Sequence, residues 1–226
     1  MTDAHCHTVR DDATRRFICE PGDVASARPG DIVFFGLHPW SAREGTDAAA
    51  LRDGIVRRLA EAPAAGVGEI GLDRLRDKNI PQAMRAAFRA QLEAAAAMRR
   101  PVVLHGAKCW GETLAACRPF AKSIPAFLFH SFSRSWGLVD DIRRLGGFVS
   151  VGPAVLNVHA ANYREAVARL PDDMILVESD ATPGNAGEVP LIGEIAGELA
   201  RLRGVSAEEL ERRLECNADR FAEWKG

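Results

Sequence analysis

Eight short apolar runs punctuate the chain, at 2–7, 15–20, 31–37, 66–71, 101–105, 126–131, 147–152 and 174–178. Each is brief, rich in Val, Ile and Phe, and bounded by Gly, Pro or polar residues, the signature of a buried strand rather than a helix. Longer stretches with helical periodicity, rich in Ala, Leu, Arg and Glu, lie between them at 47–61, 81–99, 109–119, 135–145 and 160–169. A further helix is predicted at 189–203, and Ser206-Ala-Glu-Glu209 has the form of a capping box that opens a last one. Strands alternating with helices imply βα units and a parallel sheet, and eight of them imply a TIM-like (β/α)8 barrel spanning 1–226 as one domain.

One stretch is too short for that scheme. Only 23 residues separate His7 from the strand at 31–37, and a second strand must fit among them. A parallel crossover takes about a dozen residues or more, so the first helix is expected to be lost or reduced to a turn. The barrel would then be trimmed in its first βα unit, with a side left open or covered by another chain.

Composition narrows the setting. With 226 residues, 47% of them hydrophobic, the chain can build a sizeable core. Its net charge of −2 provides no global attraction to nucleic acid, so any such contact must be local. Five cysteines, an odd number without a C-x-x-C pair, argue against a disulfide framework or a thiolate zinc site. No apolar stretch approaches the roughly 20 residues of a membrane span. A chemically loaded residue stands at position 5, which leaves no room for a signal peptide, and a cytoplasmic protein is expected.

The chemistry sits at the ends of the strands. In Asp3-Ala4-His5-Cys6-His7 the two imidazoles are two residues apart and share a strand face, with Cys6 on the other. Glu69, His105, His130 and Asp180 each close a later apolar run. Imidazole and carboxylate donors suit Zn, Mn, Fe or Mg, and active sites of this fold lie at the C-terminal ends of its strands. A structural zinc site is normally closed and four-coordinate, so six donors with several carboxylates favour a hydrolytic centre.

The chain resembles the TatD family of metal-dependent hydrolases. The matching segments are Asp3-Ala-His-Cys-His7, Gly36-Leu-His-Pro39, Gly68-Glu-Ile-Gly-Leu-Asp73, Gln91-Leu followed by Pro101-Val-Val-Leu-His105, His130-Ser-Phe-Ser133, Glu178-Ser-Asp180 and Asn217 through Phe221. The resemblance implies two divalent metal ions (Mg, Mn or Zn), one held by His5, His7, Glu69 and Asp180, the other by Glu69, His105 and His130. Glu69 would bridge them, and Asp180 would orient or deprotonate the attacking water. It also implies a phosphodiesterase resembling a 3′ exodeoxyribonuclease, acting on single-stranded nucleic acid or another phosphodiester. An ester or amide hydrolase, such as an aminoacyl-ester deacylase, and a non-catalytic interaction module are the alternatives.

The substrate periphery is less regular. His38 resembles a family position facing the site, and Asp73 is a candidate to fix a ligand imidazole or to cap its loop. Arg74, Arg76 and Lys78 follow the Glu69 strand, where basic side chains can meet phosphate. Where the family has an arginine the chain has Ala107, with Lys108 beside it, and Arg134 and Ser179 replace the family's glycine and threonine. Arg74, Lys108 and Arg134 are therefore the expected phosphate contacts. Trp40, Trp110 and Trp136 follow strand ends as potential stacking platforms, and His159 reads as a surface residue.

Overall fold

A computed structural model describes residues 1–76, 78–133 and 136–224. Its eight strands are β1 (Thr2–Cys6), β2 (Arg15–Cys19), β3 (Ile32–Phe35), β4 (Gly66–Asp73), β5 (Val102–Ala107), β6 (Phe127–Phe129), β7 (Gly147–Val151) and β8 (Ile175–Val177). They pair in parallel in the order β1 to β8. The sheet curls into a nearly closed barrel. At the seam between β1 and the segment after β8, the amides of Asp180 and His7 donate to the carbonyls of His5 (3.1 Å) and Ala181 (2.7 Å). The Asp3 carboxylate accepts from the Ser179 amide at 2.9 Å and its hydroxyl at 2.5 Å.

Helices follow the third strand onward: α1 (Ala48–Glu61), α2 (Gln82–Met98), α3 (Trp110–Cys117), α4 (Val139–Arg144), α5 (Ala161–Ala168), α6 (Ile192–Arg203) and α7 (Ala207–Ala222). The Ser206 hydroxyl caps α7 by accepting from the Glu209 amide. Two of the expected helices are shorter than their periodicity suggested. A 3-10 turn at Trp136–Leu138 precedes α4, and Ser135 lies outside the described residues. Helix α6 starts only at Ile192, with Leu191 extended at φ −71 and ψ 149 as its N-cap residue.

Two apolar layers hold the barrel. One lies between the strands and the helices. The other fills the interior with Ala4, Phe17, Phe34, Val103, Leu128, Phe148 and Leu176. Helix α7 closes the floor, its buried Leu210, Leu214, Asn217, Ala218 and Phe221 recurring at helical spacing. The Phe221 ring sits 5.4 Å from Phe17, 6.0 Å from Phe34 and 5.7 Å from Phe148. Asn217 Nδ2 donates to the carbonyls of Asp172 and Ile175, tying the floor to the start of β8.

The trimming expected in the first βα unit occurs twice. Residues 7–14 join β1 to β2 without a helix, and β2 reaches β3 through only a 3-10 turn at Val24–Ser26. Contrary to expectation, that side is not open. Cys6, Ile18 and Ala181 are fully buried beneath Val9, Val24, Ala27 and Val189. The Arg16 guanidinium, also buried, donates to the carbonyls of Thr14 (2.6 Å) and Arg10 (3.2 Å) and pairs with Asp12. A buried charge is tolerable only with partners, and here those partners are the loops that stand in for the missing helices. The five cysteines are free, as their spacing implied. Among the described residues no helix is long and apolar enough to cross a membrane.

Candidate metal centre

The strand alternation brings five of the six histidines to one end of the barrel, around Glu69. Glu69 and His105 lie inside their strands rather than at the ends, because β4 and β5 stay paired as far as Asp73 and Ala107. Glycine permits this: Gly71 has φ +151, and a Cβ there would stand 2.0 Å from the His105 carbonyl oxygen. His7 and His130 follow the last residues of β1 and β6, and Asp180 stands beyond β8 with φ +52.

The two oxygens of Glu69 divide the imidazoles between them. Oε2 faces His7 Nε2 at 3.2 Å and His5 Nε2 at 3.6 Å. Oε1 accepts from His105 Nδ1 at 2.6 Å and His130 Nε2 at 2.7 Å, with His38 Nε2 at 3.6 Å. Asp180 Oδ1 lies 3.5 Å from His5 Nε2 and 3.8 Å from His7 Nε2. His5, His7 and Glu69 form one compact donor group, His5, His130 and Asp180 another, and His38, Glu69 and His105 a third. Both ring nitrogens of His5 and Nδ1 of His130 are buried without a hydrogen-bond partner. Buried polar atoms are ordinarily bonded, so donors left open beside carboxylates fit a divalent cation. The oxygen and imidazole donor set suits a Zn, Mn, Fe or Mg ion.

Outer partners aim these rings. His7 Nδ1 meets the Cys19 carbonyl at 2.9 Å, and His105 Nε2 meets Asp73 Oδ2 at 2.7 Å. Asp73 is held in turn by the Trp40 indole at 2.8 Å and the Leu75 amide at 2.5 Å. Glu178 was not singled out from the sequence. It is fully buried, accepts from the Ser150 hydroxyl, and places Oε1 3.6 Å from His130 Nδ1. The signal was faint: Glu178 directly follows the apolar run of β8, two residues before Asp180.

Electrostatics follow the same partition. Burial alone would raise the pKa of Glu69, but the His130 charge, hydrogen bonds from His105 and His130, and nearby His38 hold it well below the usual carboxylate range. Burial would lower His130, yet Glu69 and Glu178 raise it well above an ordinary imidazole. His5 is lowered by burial and by the charge on His130. Asp180, despite burial, is lowered by the neighbouring His5 imidazole. Asp73, opposed by burial, is brought down to about 2 by His105, Leu75 and Trp40.

The expected substrate contacts are more dispersed. His38 reaches the Glu69 carboxylate itself. Arg74 is exposed and ion-paired with Glu112, Arg76 stacks on Trp40 at 3.9 Å, and Lys108 is exposed at the end of β5. Arg134 lies outside the described residues. Trp110 is no platform: it is 5% exposed and packs on Phe129 and Phe132. Trp136 lines a cavity of about 910 Å3 that opens beside Asp180, and His159 lies on its wall.

Comparison with known proteins points one way. The family model described as TatD related DNase matches residues 22–223. A protein of Dickeya dadantii named 3'-5' ssDNA/RNA exonuclease TatD is 31% identical over 198 residues, covering 82% of this chain and 74% of that protein. One of Erwinia billingiae with the same name is 31% identical over 211 residues, covering 86% and 79%. Among solved structures, a TatD homologue from Escherichia coli superposes with a TM-score of 0.79 at 22% identity, covering 97% of this chain and 96% of that one.

Proposed function

The chain belongs to the TatD-related DNase family, and from that premise we propose that it is a divalent-metal-dependent phosphodiesterase that removes nucleotides from the 3′ end of single-stranded nucleic acid. The observation that carries this reading is the divided carboxylate of Glu69, with His5 and His7 on one oxygen and His105 and His130 on the other. One anion shared by two sets of imidazoles is the arrangement that two adjacent cations require. His5, His7, Glu69 and Asp180 would hold one, and Glu69, His105 and His130 the other. Bound there, divalent cations would supply Lewis acidity toward a phosphoryl oxygen and bring the pKa of a water near neutrality.

The protein's own groups do the rest. Asp180 is ionised and its side chain is 47% exposed, whereas Glu69 is 3% exposed. Asp180 is therefore the carboxylate that can meet the attacking water and take its proton. Glu69 is enclosed by imidazoles and serves as a fixed charge. Asp73 and the Cys19 carbonyl orient the rings of His105 and His7, and Glu178 lies beside that of His130, so the donors are set before substrate arrives. His38, close to the Glu69 carboxylate, is placed to contact the substrate phosphate.

The test is direct. Protein stripped of metal, then supplied with Mg, Mn or Zn, is incubated with a single-stranded oligonucleotide labelled at its 5′ end. The reading predicts a metal-dependent ladder shortening from the 3′ end. Cleavage undiminished by chelator, or hydrolysis of aminoacyl esters with oligonucleotides untouched under every metal, would overturn it.

A further inference from the structure

The cavity beside Asp180 is walled by the loops after β6, β7 and β8 and by the start of α5. At about 910 Å3 it lies in the upper part of the roughly 300–1,000 Å3 range of small-molecule sites. Its walls carry Trp136 and Tyr163, with ring centroids 6.0 Å apart, the amides of Asn162 and Asn185, and His159. Asn185 accepts the Thr182 amide at 2.7 Å through Oδ1, which leaves its Nδ2 to donate. Among the described residues lining the cavity there is no Lys or Arg, and Asp180 is the only carboxylate.

That chemistry discriminates between occupants. A phosphate needs cations or converging amide donors, and the described residues of the lining offer it no Lys or Arg. A purely apolar group would leave the Asn amides and the seryl hydroxyls of the lining without partners. A nucleobase satisfies both conditions, because it has a flat face for an aromatic ring and an edge of donors and acceptors for amides. We propose that this cavity seats the 3′-terminal nucleoside of the single strand, its base stacked on Trp136 beside Tyr163 and its edge met by Asn162 and Asn185. The adjoining phosphate is thereby delivered to Asp180 and Glu69. The inference rests on the phosphodiesterase reading and adds that recognition of the terminus is by stacking, with the basic loops secondary.

Two 5′-labelled oligonucleotides test it, identical except that one has an abasic 3′-terminal residue. Stacking on an aromatic side chain is worth about 1–3 kcal/mol per base, or roughly 5- to 150-fold. Wild-type protein should show KM raised by that factor on the abasic strand with kcat little changed, since the lost contact is ground-state binding. Trp136→Leu keeps bulk against Phe132 and should impose the same rise on the intact strand, while Trp136→Phe should recover most of it. On the abasic strand, Trp136→Leu should add little, so that the combined penalty is no larger than either alone. Equal KM for the two strands in wild-type protein, or fully additive penalties, overturns the proposal and leaves the phosphodiesterase reading standing. If neither strand is cut under any metal, that reading fails, and the cavity is decided by calorimetric titration of thymidine 5′-monophosphate. Saturable binding lost in Trp136→Leu and kept in Trp136→Phe supports a nucleoside site, and the absence of saturable binding to wild-type protein overturns it.

Discussion

Glu69→Gln removes one charge while nearly preserving volume, and the position of that charge determines how much is lost. Outer partners of ligand side chains typically contribute about 10- to 100-fold in metal affinity. Glu69 is no outer partner, for its Oε2 stands 3.2 Å from His7 and its Oε1 2.6 Å and 2.7 Å from His105 and His130. The substitution acts on both donor sets at once, so even the outer-partner penalty counts twice, and a floor of about 10²- to 10⁴-fold follows. Asp73→Asn is the internal standard, because His105 is the one candidate ligand it touches, at 2.7 Å, and it should cost about 10- to 100-fold. Calorimetric titration of Mn2+ into metal-stripped protein reads the affinities, oligonucleotide turnover reads the activity, and circular dichroism verifies that β4 and the barrel are intact. A Glu69→Gln protein that binds Mn2+ within about tenfold of wild type, or loses no more than Asp73→Asn, would show that Glu69 does not serve two cations.

Other consequences are simpler to state. Phe221→Ala should cost about 3–5 kcal/mol in urea unfolding, because it empties the floor beneath Phe17, Phe34 and Phe148; a loss below about 1 kcal/mol would mean that α7 does not close the barrel. Arg16→Leu strips the carbonyls of Thr14 and Arg10 and the Asp12 carboxylate of their shared donor. It should cost about 1–3 kcal/mol and expose residues 10–28 to limited proteolysis, and an unchanged digestion pattern would refute that role. Hydrogen bonds from Arg201 and Arg164 hold Glu198 at about 2, below its ordinary 4.5. A depressed carboxylate stabilises the fold above its unfolded pKa and loses that contribution as pH falls through the folded one. The deficit of Glu198→Gln relative to wild type should therefore be full at neutral pH and fade between about 4.5 and about 2, as read by thermal melts across that range.

Short apolar runs located all eight strands, because each strand is largely buried on both faces and its run is nearly uninterrupted. The histidines and carboxylates were legible for a related reason: a polar side chain at the end of such a run has no place in an apolar core unless something binds it. Glu178 escaped notice because its partners, Ser150 and His130, lie on other strands, and no local pattern reports a contact between strands. The ends of β4 and β5 were misplaced for want of the Gly71 geometry, which depends on the neighbouring carbonyl of His105. The covered flank between β1 and β3 was equally hidden, since nothing local to the run at 15–20 reports that the surrounding loops bury Arg16. Trp110 failed as a platform because strand-end proximity does not say whether a ring turns outward or, as here, packs over Gly106.

The seam between β1 and the segment after β8 bears on how the protein is made. His5 and His7 are made roughly 175 residues before their closest backbone partners, Asp180 and Ala181. At about 5–20 residues per second, the opening strand waits roughly ten to thirty-five seconds for its neighbour on that side. A nascent chain that stops short of Asp180 therefore leaves β1 unpaired on that side and His5 and His7 without the carboxylate that faces them. The candidate metal centre is thus completed late in synthesis, by the order in which the strands are supplied.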